Sequence, residues 1–155
     1  MRKISEKVLD TFFNVYANRA DYDKGYRLIL SRTSMGIPRD IIQVDEGEVC
    51  YFLFKSKIAW IDAKGELWVD PLDQRPTTKE RMNAFLREKC YVKKGTLYFK
   101  DRPWDEPYNV SQKMFQSDID REKAEKEKAE KERAKRTQQV LKETQEAYMG
   151  PLYSS

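Results

Sequence analysis

The chain of 155 residues contains no histidine and only two cysteines. Without histidine it lacks the usual general base at neutral pH, the Ser-His-Asp and Cys-His arrangements, and His-ligated metal sites. Cys50 and Cys90 lie far apart and outside any CxxC pattern, which is typical of buried, reduced thiols in a cytoplasmic protein. We therefore expect no catalytic residue, no cofactor and no metal site.

Long apolar runs and a strong excess of one charge are also missing. No run of about 18 apolar residues is present, and the segment that begins Met1-Arg2-Lys3 has no signal-peptide core. The 30 basic and 26 acidic residues leave a net charge of +4, which is too small to indicate nucleic-acid binding by itself. We expect a soluble protein that stays in the cytoplasm and does not bind a membrane.

The C-terminal segment, in contrast, is dense in charge of both signs. From Asp118 to Arg136 it reads DIDREKAEKEKAEKERAKR. Three Glu-to-basic pairs at i, i+4 favour a helix, each by about 0.2–0.5 kcal/mol: Glu122–Lys126, Glu127–Lys131 and Glu132–Arg136. The alanines recur every five residues, a period that does not give the continuous seam of a coiled coil. The sequence predicts a single charged helix, whose end offers five apolar anchors: Val140, Leu141, Ala147, Tyr148 and Met149.

This change in composition divides the chain into four predicted regions. Residues 1–100 are expected to form a globular domain, and residues 101–117 an extended aromatic and proline segment docked on it. The charged helix is predicted over 118–149, with a flexible tail over 150–155. A compact domain with a charged helix is more typical of a binding or assembly protein than of an enzyme.

Apolar periodicity predicts the elements of the globular domain. Helices are expected over 5–17 and 77–88, and strands over 26–31, 41–44, 49–54, 57–62, 66–69, 90–92 and 96–100. Helices and hairpin-linked strands in this order indicate an α+β fold, a small antiparallel sheet with two packed helices. Ser5 is predicted to cap the first helix, and Thr77 with Glu80 to form a capping box at the second.

The second half of the domain contains a set of short motifs: Leu53-Phe54, Ile58-Ala59, Gly65 and the helix sequence TTKERMNAFL over 77–86. At these positions, over about residues 48–100, the chain resembles a widespread group of small tailed-bacteriophage proteins. Lys55 stands where the group commonly has glycine, and Asp73-Gln74-Arg75 replaces its Gly-Trp turn. The resemblance implies a phage origin, with the cytoplasm of an infected bacterium as the location, and implies no reaction.

Two polar residues of the predicted second helix are candidate contacts. Arg81 and Asn83 could meet a ligand or a nucleic acid from an exposed helix. The alternative is structural, with Arg81 paired to an acid and Asn83 bonded to backbone groups of the loop before Thr77. We favour the structural interpretation, because capped helices beside irregular loops need such partners.

Aromatic and basic side chains of the strands form a second candidate. A nucleic-acid platform needs aromatics on an open sheet face with cations beside them. The aromatics available are Tyr51, Trp60, Trp68, Tyr91 and Tyr98, and the cations are Lys55, Lys57, Lys93 and Lys94. Packing of these aromatics in the core is the favoured alternative.

Three functions remain from the sequence. The leading hypothesis is a non-enzymatic phage accessory protein, of host-takeover or anti-defence type, that binds a host or viral macromolecule, most readily a protein. The second is a sequence-independent nucleic-acid-binding protein that uses the sheet aromatics and lysines. The third is a virion or scaffold component that assembles through its C-terminal helix.

Overall fold

The structure is a computed structural model that describes the backbone of residues 1–153 and the side chains of residues 1–147. The chain divides into two compact units, Met1–Gln116 and the part from Ser117 onward. The first unit is α+β with antiparallel sheets, and the second is a long charged helix, so the predicted fold class is confirmed. No helix among the described residues is both long enough and apolar enough to span a membrane.

Three α-helices and ten strands make up the described chain. The helices are α1 (Lys3–Ala17), α2 (Pro76–Leu86) and α3 (Gln116–Tyr153), with a short 3-10 turn at Arg19–Asp21. The strands are β1 (Arg27–Arg32), β2 (Pro38–Asp45), β3 (Glu48–Leu53), β4 (Ser56–Ile61), β5 (Leu67–Val69), β6 (Tyr91–Lys93), β7 (Thr96–Phe99), β8 (Arg102–Pro103), β9 (Tyr108–Asn109) and β10 (Met114–Phe115).

The strands form two separate sheets. The main sheet has seven antiparallel strands in the order β1-β2-β3-β4-β5-β9-β10, and the small sheet has the order β6-β7-β8. The segment predicted as extended, 101–117, supplies β8 to the small sheet and β9 and β10 to the edge of the main sheet. Its aromatic side chains Trp104, Tyr108 and Phe115 are buried.

The main sheet has a core face and an outer face, because side chains alternate along each strand. Val49, Tyr51 and Leu53 of β3 lie on the core face, where the Tyr51 ring packs against Phe85 of α2. Phe12 of α1 meets Phe85 edge-on, with ring centroids 5.1 Å apart. Both α1 and α2 therefore pack on one face of this sheet. The residues of β3 that alternate with Val49, Tyr51 and Leu53 point to the other face.

The two predicted helix caps differ from the observed helix starts. Helix α1 begins at Lys3 with Arg2 as its N-cap residue, so Ser5 lies inside the first turn and is fully buried. Helix α2 begins at Pro76 with Arg75 as N-cap, and no side chain of that cap residue bonds the helix. The Ser5 hydroxyl and the Glu80 carboxylate bond to each other instead of capping their own helices. A contact between α1 and α2 therefore takes the place of the two predicted helix caps.

Helix α3 is longer than predicted. It starts at Gln116, next to the final strand, and continues through Tyr153, beyond the predicted end at residue 149. The predicted flexible tail, 150–155, thus begins inside the helix, and its last two residues lie outside the described ones. Of the predicted apolar anchors, Val140 and Leu141 are exposed, and the side chains of Tyr148 and Met149 are outside the described part.

Candidate functional site

The densest group of ionisable side chains surrounds a buried ion pair between α2 and β2. The Arg81 guanidinium donates from Nε to Asp40 Oδ1 at 2.8 Å and from Nη2 to Asp40 Oδ2 at 3.2 Å. The Tyr51 and Ser31 hydroxyls donate to the same carboxylate, one to each oxygen. Arg81 is 2% exposed and Asp40 is fully buried, so this pair is sealed from solvent.

The other end of the Arg81 guanidinium joins α2 to α1. Nη1 donates to Glu80 Oε2 at 2.6 Å and to Ser5 Oγ at 3.0 Å. Glu80 Oε1 accepts from the backbone N–H of Arg2 at 3.2 Å. One arginine therefore ties α1, α2 and β2 together, and Tyr51 adds β3.

The electrostatics of this group hold each member in one charge state. Burial alone would raise the pKa of Asp40, but hydrogen bonds from Arg81, Ser31 and Tyr51, with the charge of Arg81, keep that pKa below its ordinary value. Burial, together with Asp40, raises the pKa of Tyr51. Burial opposes the charge of Arg81, but its bonds to Asp40 raise its pKa still further. No member titrates near neutral pH, where a general acid or base must exchange its proton.

This geometry is that of a structural network. Among the described residues, every buried side-chain nitrogen and oxygen atom has a hydrogen-bond partner. Arg81 is buried and paired to an acid, rather than placed on an exposed helix face. Asn83 is half-buried and its Oδ1 accepts from the Cys90 backbone N–H at 2.8 Å and from Cys90 Sγ at 3.0 Å. Asn83 thus fixes the loop after α2, whereas the sequence placed it against the loop before that helix.

The cysteines are poor candidates for chemistry. Both are free thiols and both are buried. Burial raises the pKa of Cys50 to about 12 and also raises the pKa of Cys90, so both remain thiols rather than the nucleophilic thiolates. Among the described residues, no three acidic or cysteine side chains cluster closely enough to hold a metal ion.

The outer face of the main sheet has a pair of tryptophans at its centre. Trp60 of β4 and Trp68 of β5 are cross-strand partners. Their ring centroids lie 6.2 Å apart and the ring planes are nearly parallel, at an interplanar angle of 8°. Both are partly exposed, and Phe52 of β3 lies on the same face. We call Phe52, Trp60 and Trp68 the tryptophan face. Cross-strand aromatic pairs of this kind stabilise a sheet.

Carboxylates surround the tryptophan face. The Trp68 indole N–H donates to Asp62 Oδ2 at 2.9 Å, and this bond with two backbone N–H bonds lowers the pKa of Asp62 against the effect of burial. Glu66 and Asp70 flank Trp68 on the same side of β5 by strand alternation. The only lysine at the pair is Lys57, whose Nζ lies 4.6 Å from the Trp60 ring centre and 3.7 Å from Glu48, within the described structure.

The small sheet holds a second aromatic pair, which lies among cations rather than carboxylates. Tyr91 of β6 and Tyr98 of β7 are cross-strand partners, with rings 5.6 Å apart and an interplanar angle of 8°. Residues 87–100, which we call the basic hairpin, contain five cations and one acid, a net +4. The cations are Arg87, Lys89, Lys93, Lys94 and Lys100, and the acid is Glu88. Because the whole chain is also +4, the other residues hold 25 bases and 25 acids.

The predicted platform is thus divided between two sheets. Trp60, Trp68 and Lys57 lie together on the main sheet, and exposed Lys55 lies in the β3–β4 turn. Lys93 and Lys94 belong to the small sheet instead. Tyr51, which the sequence assigned to the same platform, is buried on the core face beneath α2. The structure therefore provides two small aromatic surfaces in place of one continuous platform.

Sequence reasoning missed Asp40, which neutralises Arg81, and Ser31, which donates to Asp40. Asp40 precedes Arg81 by 41 positions and Ser31 lies 9 positions before Asp40, and neither has a motif of its own. The register of Tyr91 with Tyr98 had a usable signal: Lys94 and Gly95 both have positive φ and make a two-residue hairpin loop, which aligns the flanking residues.

Lys55 also has a positive φ, 72°, at the position where the resembled phage group commonly has glycine.

Comparison with protein family models, curated proteins and solved structures finds no match to this chain.

Proposed function

We propose that this protein is a non-enzymatic binding module that docks another protein through its tryptophan face. The observation that supports the proposal most is the parallel Trp60–Trp68 pair, partly exposed on the sheet face opposite α1 and α2. Tryptophan is enriched among the few interface residues that contribute most of the binding energy. A rigid cross-strand pair is also held in place before binding, so it loses little side-chain entropy on association.

The charges around this face favour a protein partner over a nucleic acid. Asp62 bonds Trp68 directly, and Glu48 lies beside Lys57, the cation at the pair. A phosphate backbone that approached the tryptophans would meet these carboxylates and be repelled. A protein that presents an apolar patch bordered by lysine or arginine would instead be complementary in both shape and charge.

A binding role also agrees with how the chain uses its ionisable groups. Arg81, Asp40 and Tyr51 are engaged in a closed, buried network in which no group is poised to exchange a proton near neutral pH. Both cysteines are buried thiols. The partly exposed tryptophans and their neighbouring carboxylates lie outside that network, where they can take part in recognition.

The resemblance of residues 48–100 to small tailed-phage proteins supplies the biological setting of the proposal. A phage accessory protein made in the cytoplasm of an infected bacterium would dock a host or viral protein. The third function considered, assembly through the C-terminal helix, has less support, because the described side chains of 130–147 are all exposed and present no continuous apolar seam.

The test compares the unaltered protein with a Trp60→Thr/Trp68→Thr variant in capture from phage-infected cells. Threonine preserves strand propensity, so the sheet should persist, as circular dichroism would show. After nuclease treatment, a partner retained by the unaltered protein is purified and titrated against both forms. We expect the double variant to bind at least roughly 30-fold more weakly, as loss of a central interface residue predicts.

A matched control is Tyr91→Thr, which removes one ring of the other aromatic pair. That variant should retain the protein partner at unchanged affinity. Equal binding by the folded tryptophan variant, or loss of all captured protein after nuclease treatment, would refute docking through the tryptophan face.

A further inference from the structure

We infer that the basic hairpin is a second binding site, which takes single-stranded nucleic acid. This site is separate from the tryptophan face and involves a different class of ligand. The inference depends on three features of residues 87–100: their charge, the lack of ion-pair partners for four of their cations, and the aromatic pair between them.

The first feature is the concentration of charge. These 14 residues have a net +4, which equals the net charge of the whole chain. The remaining residues balance only in sum, since residues 24–39 also hold four bases and no acid. The basic hairpin therefore presents a local positive charge that attracts phosphates and can raise the association rate of an anionic chain.

The second feature is the freedom of four cations. Lys100 is paired with Glu88 at 2.9 Å, so this ion pair uses the only acid of the hairpin. Arg87, Lys89, Lys93 and Lys94 are exposed and have no ion-pair partner among the described residues. These four can meet phosphates without first breaking an internal contact.

The third feature is the ring pair between these cations. Tyr91 and Tyr98 share one face of the hairpin with Lys93 and Thr96, because 91 pairs with 98 and 93 with 96. The opposite face carries Leu97 and Phe99 into the core, which fixes the tyrosines toward solvent. Tyr91 is 43% exposed, so a base can stack on its ring while the neighbouring lysines contact the phosphates on either side.

These features favour a single strand over a duplex. In a duplex the bases are stacked on each other and present only their edges, so an exposed tyrosine ring has no base face to contact. A single strand offers both the phosphates and free base faces. Because every base has such a face, we expect little sequence preference.

The experiment measures fluorescence anisotropy of a labelled oligothymidylate of about 16 nucleotides with the full-length protein. Four phosphate contacts predict a slope of log affinity against log salt near −2.8, or about a 50-fold loss between 50 and 200 mM salt. The same oligonucleotide annealed to its complement should bind more weakly. Absence of binding at low salt, or duplex binding as tight as single-strand binding, would overturn the inference.

Two sets of variants separate the contributions of charge and ring. Lys93→Gln/Lys94→Gln should reduce the salt slope by about 1.4, whereas the exposed pair Lys55→Gln/Lys64→Gln on the main sheet should leave it unchanged. Tyr91→Thr should weaken binding about tenfold, and Tyr91→Phe should restore it, because phenylalanine keeps the ring. Equal effects of the two lysine pairs, or a silent Tyr91→Thr variant, would contradict the site.

The result is also distinguishable from other anionic ligands and from the proposed function. Binding to vesicles that contain phosphatidylserine, without binding to the oligonucleotide, would overturn the inference. The Trp60→Thr/Trp68→Thr variant should bind the oligonucleotide like the unaltered protein. If that variant loses the oligonucleotide while Tyr91→Thr retains it, the nucleic-acid site lies on the main sheet and this assignment fails.

Discussion

Arginines are held in opposite ways in the two units of this chain. Arg81 is 2% exposed and bonds to Asp40, Glu80 and Ser5 in fixed geometry. Arg133, near the middle of α3, is exposed, and the three predicted i, i+4 pairs of that helix do not close into ion pairs in its described part. An arginine side chain thus holds several elements together in the first unit, whereas in the second unit an arginine side chain is exposed to solvent.

This difference shows when a charge determines structure. A buried charge is costly without its partners, so Arg81 favours the arrangement of α1 and α2 on the sheet in which Asp40, Glu80 and Ser5 all reach it. An exposed charge is stabilised by water in any arrangement, so the charges of α3 favour helix and solubility without specifying a neighbour. Four predictions test this contrast, beginning with the one of largest effect.

The largest effect is expected from removal of the buried arginine. Arg81→Met leaves Asp40 buried without its cation and should lower the free energy of unfolding by about 3–5 kcal/mol. The matched control Arg133→Met should change it by less than about 0.5 kcal/mol. Urea unfolding followed by tryptophan fluorescence measures this, because Trp60, Trp68 and Trp104 all lie in the first unit. Similar losses from the two variants would refute the contrast.

The second prediction concerns acid. The folded-state pKa values of Asp40 and Glu80 are held below their ordinary values, despite burial, by bonds to Arg81 and neighbouring hydroxyl or backbone groups. A lowered pKa contributes stability above the unfolded value, about 4, and that stability is lost as pH falls through the folded pKa. Unfolding free energy should therefore decline below about pH 4.

Asp40→Asn provides the control for the acid prediction. It removes one titrating carboxylate, so the slope below pH 4 should become shallower by up to about 1.4 kcal/mol per pH unit. Asp70 acts in the opposite direction, since burial raises its pKa. A slope unchanged by Asp40→Asn would mean that other carboxylates, such as Asp62 and Asp73, dominate the acid response.

The third prediction compares two partly exposed groups at the start of α2. Asp73 accepts from the Arg75 backbone N–H at 2.8 Å and also bonds the Arg75 side chain, whereas Thr77 lies one residue inside the helix. Asp73→Ala should cost about 0.5–1 kcal/mol, with the effect reduced in high salt. Thr77→Ala should cost less, although its sequence matches a capping box. The reverse order, measured by urea unfolding, would restore Thr77 as the cap.

The start of α2 shows how far local sequence signals extend. Periodicity located both helices and most strands, because burial of one face leaves a repeating pattern. The cap was misplaced because Glu80 is engaged by Ser5, 75 positions earlier, and by Arg2. Pro76 was the better signal, since proline suits the first position of a helix. Local patterns thus predicted the elements, but a tertiary contact decided the helix start.

The candidate surfaces show the same limit at longer range. A two-residue Lys94-Gly95 loop aligns Tyr91 with Tyr98, whereas the predicted strands 90–92 and 96–100 left a three-residue link that gives another register. That hairpin is separate from the tryptophans because β5 pairs with β9, about 40 residues later. The main sheet therefore continues from β5 to β9 and does not include β6 and β7. Such pairings leave no local pattern, so the sequence predicted one platform where the structure has two surfaces.

The smallest effect is expected from removal of the charged helix. A chain that ends at Gln116 keeps Phe115 and the bond from the Gln116 N–H to the Pro107 carbonyl, and loses side chains that are nearly all exposed. Its tryptophan-monitored unfolding free energy should match that of the full chain within about 0.5 kcal/mol. A loss comparable to that of Arg81→Met would show that α3 supports the first unit.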